Sequence, residues 1–143
     1  MAVGSASWSF TEEDFGAITK ALQKFLGETN ARCALLVDRS GQLVATVGEA
    51  PNFDATAFAT LTAADFSAND QLAQLIGETD FNSLFHQGEK ESMYLADIAR
   101  RVILVALFDN RTTLGLVRLK IKDTVIELTK LFHEVALTLS ELP

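Results

Sequence analysis

The spacing of apolar residues changes period along this 143-residue chain, and each change marks an element. Phe15, Ile18, Leu22, Phe25 and Leu26 recur at helical intervals and predict a helix with one buried stripe. Thr11 stands before it as N-cap, with Glu12, Glu13 and Asp14 in the positive first turn and Phe10 and Phe15 placed for a hydrophobic staple. The stop is expected near Gly27 or Asn30. Arg32 to Asp38 and Gln42 to Val47 read as two strands joined by the Arg39-Ser40-Gly41 turn. After a loop from Gly48 to Asn52 containing Pro51, the staple arrangement recurs. Asp54 is the N-cap, Phe53 faces Phe58, and a long helix runs from about Ala55 to Ile76 until Gly77 stops it.

Glu78 to Lys90 is less regular, and whether it holds an edge strand around Phe85, outside the five counted here, stays open at this point. Three strands follow at Ser92 to Ile98, Val102 to Phe108 and Leu114 to Ile121, with turns at Ala99-Arg100-Arg101 and Asp109 to Thr113. Val102 to Phe108 is apolar on both faces, which demands helices on both sides of a sheet. Leu114 to Ile121 alternates, which predicts a strand with one wet face. A last helix from about Asp123 to Leu139 carries Val125, Leu128, Phe132, Val135 and Leu139 on one stripe. The pattern predicts an α/β (α+β) domain built on a five-stranded, mainly antiparallel sheet with helices on both faces. The order is α-β-β-α-β-β-β-α. Residues 1–9 read as a flexible leader and 10–143 as a single domain. Uncovered sheet edges are pairing templates, and a homodimer would remove that liability.

Composition narrows the function classes. With 48% hydrophobic and 22% charged residues the chain has ordinary soluble usage. Its longest apolar run, Val102 to Phe108, is far short of the roughly 20 residues of a membrane helix. The first residues lack the basic and apolar regions of a signal peptide, so the expected location is cytoplasmic. A net charge of −7 argues against nucleic acid and anionic membranes as partners. Cys33, the single cysteine, lies in the run Cys33-Ala34-Leu35-Leu36-Val37 and reads as a small buried hydrophobe.

No phosphate loop, dinucleotide fingerprint, nucleophile elbow or metal-ligand spacing occurs. His86 and His133 are the only histidines, and His86 is the better functional candidate. The expectation is a non-enzyme with no catalytic residue, cofactor or metal. Along the middle helix, Phe58, Leu61, Leu72 and Ile76 share a face expected to pack on the sheet. Ala59, Ala63, Phe66, Ser67, Asp70 and Gln71 then form the candidate partner-binding face, unless Phe66 folds under a loop. Arg111, Arg118, Lys120 and Lys122 form a positive cluster expected on a solvated strand.

The element order, the Leu35-Leu36-Val37-Asp38-Arg39-Ser40-Gly41 hairpin and the Leu75-Ile76-Gly77-Glu78 helix end resemble the Roadblock family of dynein light chains and bacterial GTPase regulators. The segments Phe85-His86-Gln87-Gly88-Glu89-Lys90 and Phe108-Asp109-Asn110-Arg111-Thr112-Thr113-Leu114-Gly115 are similar to its MglB branch, found beside a small Ras-like GTPase of MglA type. The resemblance covers roughly Phe10 to Leu139. It implies a homodimer whose sheet continues across protomers, with the second helices side by side as a platform for one GTPase. It also implies stimulation of GTP hydrolysis by positioning the GTPase's own catalytic residues, in bacterial cell polarity or motility.

The family's partner-facing helix positions fall on Ala63, Ser67 and Gln71. Asp65, Phe66 and Asp70 stand where relatives tend to have glycine or alanine, which implies altered affinity or a different GTPase. Two other readings stay open at this point. One is a Roadblock adaptor that binds a GTPase or other protein without accelerating hydrolysis; the other is a small-molecule sensor or enzyme on a related scaffold. An arginine-finger version of activation would draw on Arg39 or Arg111, both in turns.

Overall fold

In the computed structural model, which describes residues 11–49 and 52–140, the first helix opens on a reciprocal cap. The Thr11 hydroxyl accepts from Asp14 N at 3.0 Å, and the Asp14 carboxylate accepts from Thr11 N at 3.3 Å. Helix α1 (Glu12–Thr29) buries Ile18, Leu22 and Phe25. It ends at Asn30, whose left-handed backbone (φ 60°) lets its N–H reach Leu26 O at 2.8 Å. Strands β1 (Cys33–Asp38) and β2 (Leu43–Gly48) form the expected hairpin. Gly48 is required where it stands. At φ 105° a Cβ there would lie 2.5 Å from Arg32 O.

Helix α2 (Ala55–Leu75) is capped by Asp54, whose carboxylate accepts from Thr56 N and Ala57 N. Phe53 meets Phe58 edge to face at 4.6 Å, as the repeated staple predicts. Strands β3 (Ser83–His86), β4 (Ser92–Ile98) and β5 (Val102–Phe108) complete one antiparallel sheet in the order β2-β1-β5-β4-β3. The two strands that are most completely apolar, β1 and β5, sit at its centre, where both faces are covered. The leader, Phe10 and Pro51 lie outside the described residues, as do the side chains of Val135 and Leu139.

One expected strand is absent. Leu114 to Ile121 is not a strand but the start of helix α3 (Leu114–Ser140), so the Asp109–Thr113 turn leads into a helix. The Thr113 hydroxyl accepts from Leu116 N at 3.2 Å and caps it. The buried positions are Val117, Ile121, Thr124, Leu128 and Phe132, a helical stripe continuous with the expected last helix. The third strand of the second set is instead β3, the edge strand around Phe85. Helices α1 and α3 cover one sheet face over Ala34, Leu36, Leu104 and Ala106. Helix α2 covers the other over Cys33, Leu35, Ile103 and Val105.

Helix α2 is also turned relative to expectation. Ala59, Thr62, Phe66, Asn69 and Ala73 face the sheet and are buried. Leu61, Leu72 and Ile76, which the sequence pattern placed inward, are 68%, 58% and 71% exposed. Only Phe58 of that set is half-buried, packed beside the α2-side core. The reason is steric as well as hydrophobic. Alanines and one phenylalanine let the helix axis approach the flat sheet closely, which a row of leucines would prevent.

Candidate functional site

The site grows out of the composition of α2. Its 21 residues carry two charges, Asp65 and Asp70, and no lysine or arginine. Both acids are held by groups of the same chain on opposite flanks of the helix. Asp70 Oδ2 accepts from Arg39 Nη1 at 2.6 Å, and Arg39 Nη2 also donates to Asp97 Oδ1 of β4 at 2.5 Å. The same guanidinium lies 5.1 Å from the ring centre of Phe66. On the other flank, Asp65 Oδ2 lies 2.5 Å from His86 Nε2 of the edge strand β3.

With its charges drawn aside, α2 presents an apolar outer face. At about 100° per residue, Leu61, Ala64, Ala68, Leu72 and Leu75 fall within one narrow arc. All five are exposed, and Leu75 reaches 82%. A helix apolar on both its inner and outer faces is one that expects cover on both. An exposed aliphatic strip of this length on a folded protein marks an interaction surface.

The six sequence-selected residues divide accordingly. Ala59 and Phe66 are buried at 1% and 0% against the chain's own sheet and are not offered to a partner. Ala63 and Asp70 are half-buried on the Arg39 flank; Gly41 and Thr60 lie close to Ala63. Ser67 and Gln71 are exposed beside the aliphatic strip, and the Gln71 amide reaches Ser67 Oγ at 3.5 Å. Leu61, Ala64, Ala68, Leu72 and Leu75 were missed as a surface. The near absence of charge in a helix of this length was the signal that both faces are apolar.

The turn arginines are also committed. Arg39 is half-buried rather than exposed. Burial opposes its charge, but the hydrogen bonds to Asp97 and Asp70 outweigh that and hold its pKa above the ordinary value. Arg111 is bound by Asp109 at 3.0 Å and by Glu49 at 3.0 Å, and these two bonds raise its pKa. The positive cluster disperses, because Lys120 turns to Glu28 (3.9 Å) while Arg118 lies over Tyr94 at 5.9 Å. Cys33 is buried, as expected, and burial pushes its thiol pKa up. Among the described residues no cluster of three or more histidine, cysteine or acidic side chains is placed to hold a metal. No helix among them is long and apolar enough to cross a membrane.

The family model for the Roadblock/LC7 domain matches residues 18–108, from the middle of α1 to the end of β5. The chain belongs to the Roadblock/LC7 family. This Roadblock chain is 44% identical to Myxococcus xanthus MglB, the alignment covering 89% of it and 96% of that protein with a TM-score of 0.83. It is 32% identical to the gliding protein MglB of Thermus thermophilus, over 91% of this chain and 98% of that one, with a TM-score of 0.84. These two matches put it in the MglB-like branch. Acanthamoeba castellanii profilin IB, at 15% identity and a TM-score of 0.60 over 78% and 96% of the two chains, shares the fold alone. No curated protein sequence matches the chain.

Proposed function

We propose that this Roadblock protein is a homodimeric regulator of a small Ras-like GTPase of MglA type, and that it stimulates GTP hydrolysis by positioning the GTPase's own catalytic residues. The observation that carries the reading is the charge-free aliphatic strip of α2. Two copies pair these strips across a two-fold axis, with the sheet continuing from one protomer to the next. The polar flank with Ser67 and Gln71 then lies along the rim of the paired helices and meets the GTPase, with Ala63 and Asp70 behind it. Ala59 and Phe66 act from beneath, as the packing that holds the helix at its height.

Two further observations support the mode of activation. Arg39 and Arg111 are each tied to two carboxylates, so neither is poised as an inserted finger. An activator without such a group contributes orientation and electrostatic preorganisation, which dominate phosphoryl transfer. The likeness to MglB proteins supports the choice of GTPase, and through it a role in polarity or motility.

The test is GTP turnover by the MglA-like GTPase of the same genome, with and without this protein. Acceleration of at least about tenfold is expected, equivalent to about 1.4 kcal/mol off the barrier. Ser67→Arg should remove it while leaving the dimer intact. A stable complex without acceleration would establish the adaptor reading instead, and unimpaired stimulation by Ser67→Arg would overturn the assigned face.

A further inference from the structure

A second unpartnered surface lies on the opposite side of the sheet, remote from the α2 strip and independent of the reading built on it. Between α3 and the β4–β3 edge runs a groove enclosing about 570 Å³. Its floor is Tyr94 and Ala96 of β4, and its helical wall is Ile121, Val125 and Ile126. Ile126 is 57% exposed at the mouth, an aliphatic side chain facing water beside an apolar floor. Arg118, Lys122 and Ile126 follow one another at four-residue intervals and so line one flank of α3. Among the described residues no carboxylate pairs with Arg118 or Lys122. The acid nearest in the lining, Asp97, is engaged by Arg39 at 2.5 Å and by Arg100 N at 3.2 Å.

We infer that this groove docks an acidic segment of another protein, one that carries an apolar anchor side chain. The anchor enters between Ile126 and Tyr94, and its neighbouring carboxylates meet Arg118 and Lys122. Charge sets the choice of occupant. On a chain of net charge −7, an acidic segment is repelled by most of the surface and is drawn to a cationic rim, so the field fixes where it lands. Because the groove and α2 lie on opposite sheet faces, both can be occupied at once. The protein then bridges the α2 partner and a second, acidic one.

The probe is a short, fluorescently labelled peptide of alternating Glu and Leu blocks, titrated with the full chain by anisotropy. Binding is expected, weakening as salt is raised. The double substitution Arg118→Glu with Lys122→Glu should weaken it at least about tenfold, or about 1.4 kcal/mol. Ile126→Ser, which leaves every charge in place, should weaken it as well, whereas Ala64→Arg on α2 should not. All these positions are exposed, and circular dichroism melts check that each variant stays folded. Equal binding by the charge-reversed protein, or by Ile126→Ser, overturns the proposal. So does failure of the peptide to bind while phosphatidylserine vesicles do, which would make the rim a membrane contact.

Discussion

Leu72 gives the sharpest test of the α2 strip, because its effect is separable from folding. It is 58% exposed in the single chain, so removing its side chain should barely alter protomer stability. Fully burying a leucine is worth about 2.5 kcal/mol, and pairing can add only the part still exposed, about 1.5 kcal/mol. In a two-fold interface each substitution acts twice, which brings Leu72→Ala to about 3 kcal/mol per dimer. That corresponds to a dissociation constant about a hundred times weaker. Sedimentation equilibrium over a dilution series reads this constant directly, with Leu119→Ala on α3 as the matched exposed-leucine control. Leu119 is 61% exposed but lies on the other sheet face, so its substitution should leave the constant unchanged. An unchanged dimer constant for Leu72→Ala, or an equal loss for Leu119→Ala, would refute the pairing of α2 strips.

Two stability predictions follow from the polar contacts. Arg39→Ala leaves Asp70 and Asp97 without their shared cation and uncovers Phe66; since these side chains are only about a fifth exposed, the expected loss is about 2–3 kcal/mol. It is read as a shift in urea midpoint at constant slope, and a loss below about 0.5 kcal/mol would show the cluster to be energetically idle. Glu49 is held below its ordinary pKa of 4.5 by hydrogen bonds from Arg32 and Arg111. A carboxylate depressed in this way stabilises the fold at pH above its unfolded value, and that contribution disappears as pH falls through its lower folded value. The urea midpoint should therefore drop on acidification below about pH 4.5, and drop less steeply in Glu49→Gln; identical pH profiles would remove Glu49 from the account.

Most of the fold was legible because most elements carry one unambiguous period. Thr11, Asp54 and Gly77 marked helix ends by chemistry that acts locally, and the doubly apolar run of β5 announced a strand covered on both faces. The two misreadings share a physical cause, which is that a short window can satisfy two periods. Leu114 to Ile121 alternates over eight residues, yet Val117 and Ile121 also begin the helical stripe that continues through Thr124, Leu128 and Phe132. Only the longer window distinguishes them, since a strand would have broken that stripe. In α2 the rule that large aliphatics point inward chose Leu61 and Leu72, whereas close approach to a flat sheet selected Ala59, Phe66 and Ala73. Nothing local in the sequence decides between two apolar faces. The decision comes from the sheet.

The three α2 residues that the family resemblance marked as departures take on a different meaning in three dimensions. Read along the helix, Asp65, Phe66 and Asp70 suggested a remodelled docking face. In space each is answered from within the chain: Asp65 by His86, Asp70 by Arg39, and Phe66 by the guanidinium of Arg39 and the sheet beneath. Phe66 and Asp70 behave as a coupled set with Asp97, because Arg39 needs its two acids to remain charged while half-buried and Phe66 to cover its plane. Asp65 stands apart with His86. These internal contacts also shape the outer surface of the helix. By drawing both charges of α2 to its flanks they leave the crest of the helix neutral, which suits self-association. Under the proposed function, the exposed polar groups beside that crest, Thr60, Ser67, Gln71 and Gln74, are then what α2 offers the GTPase.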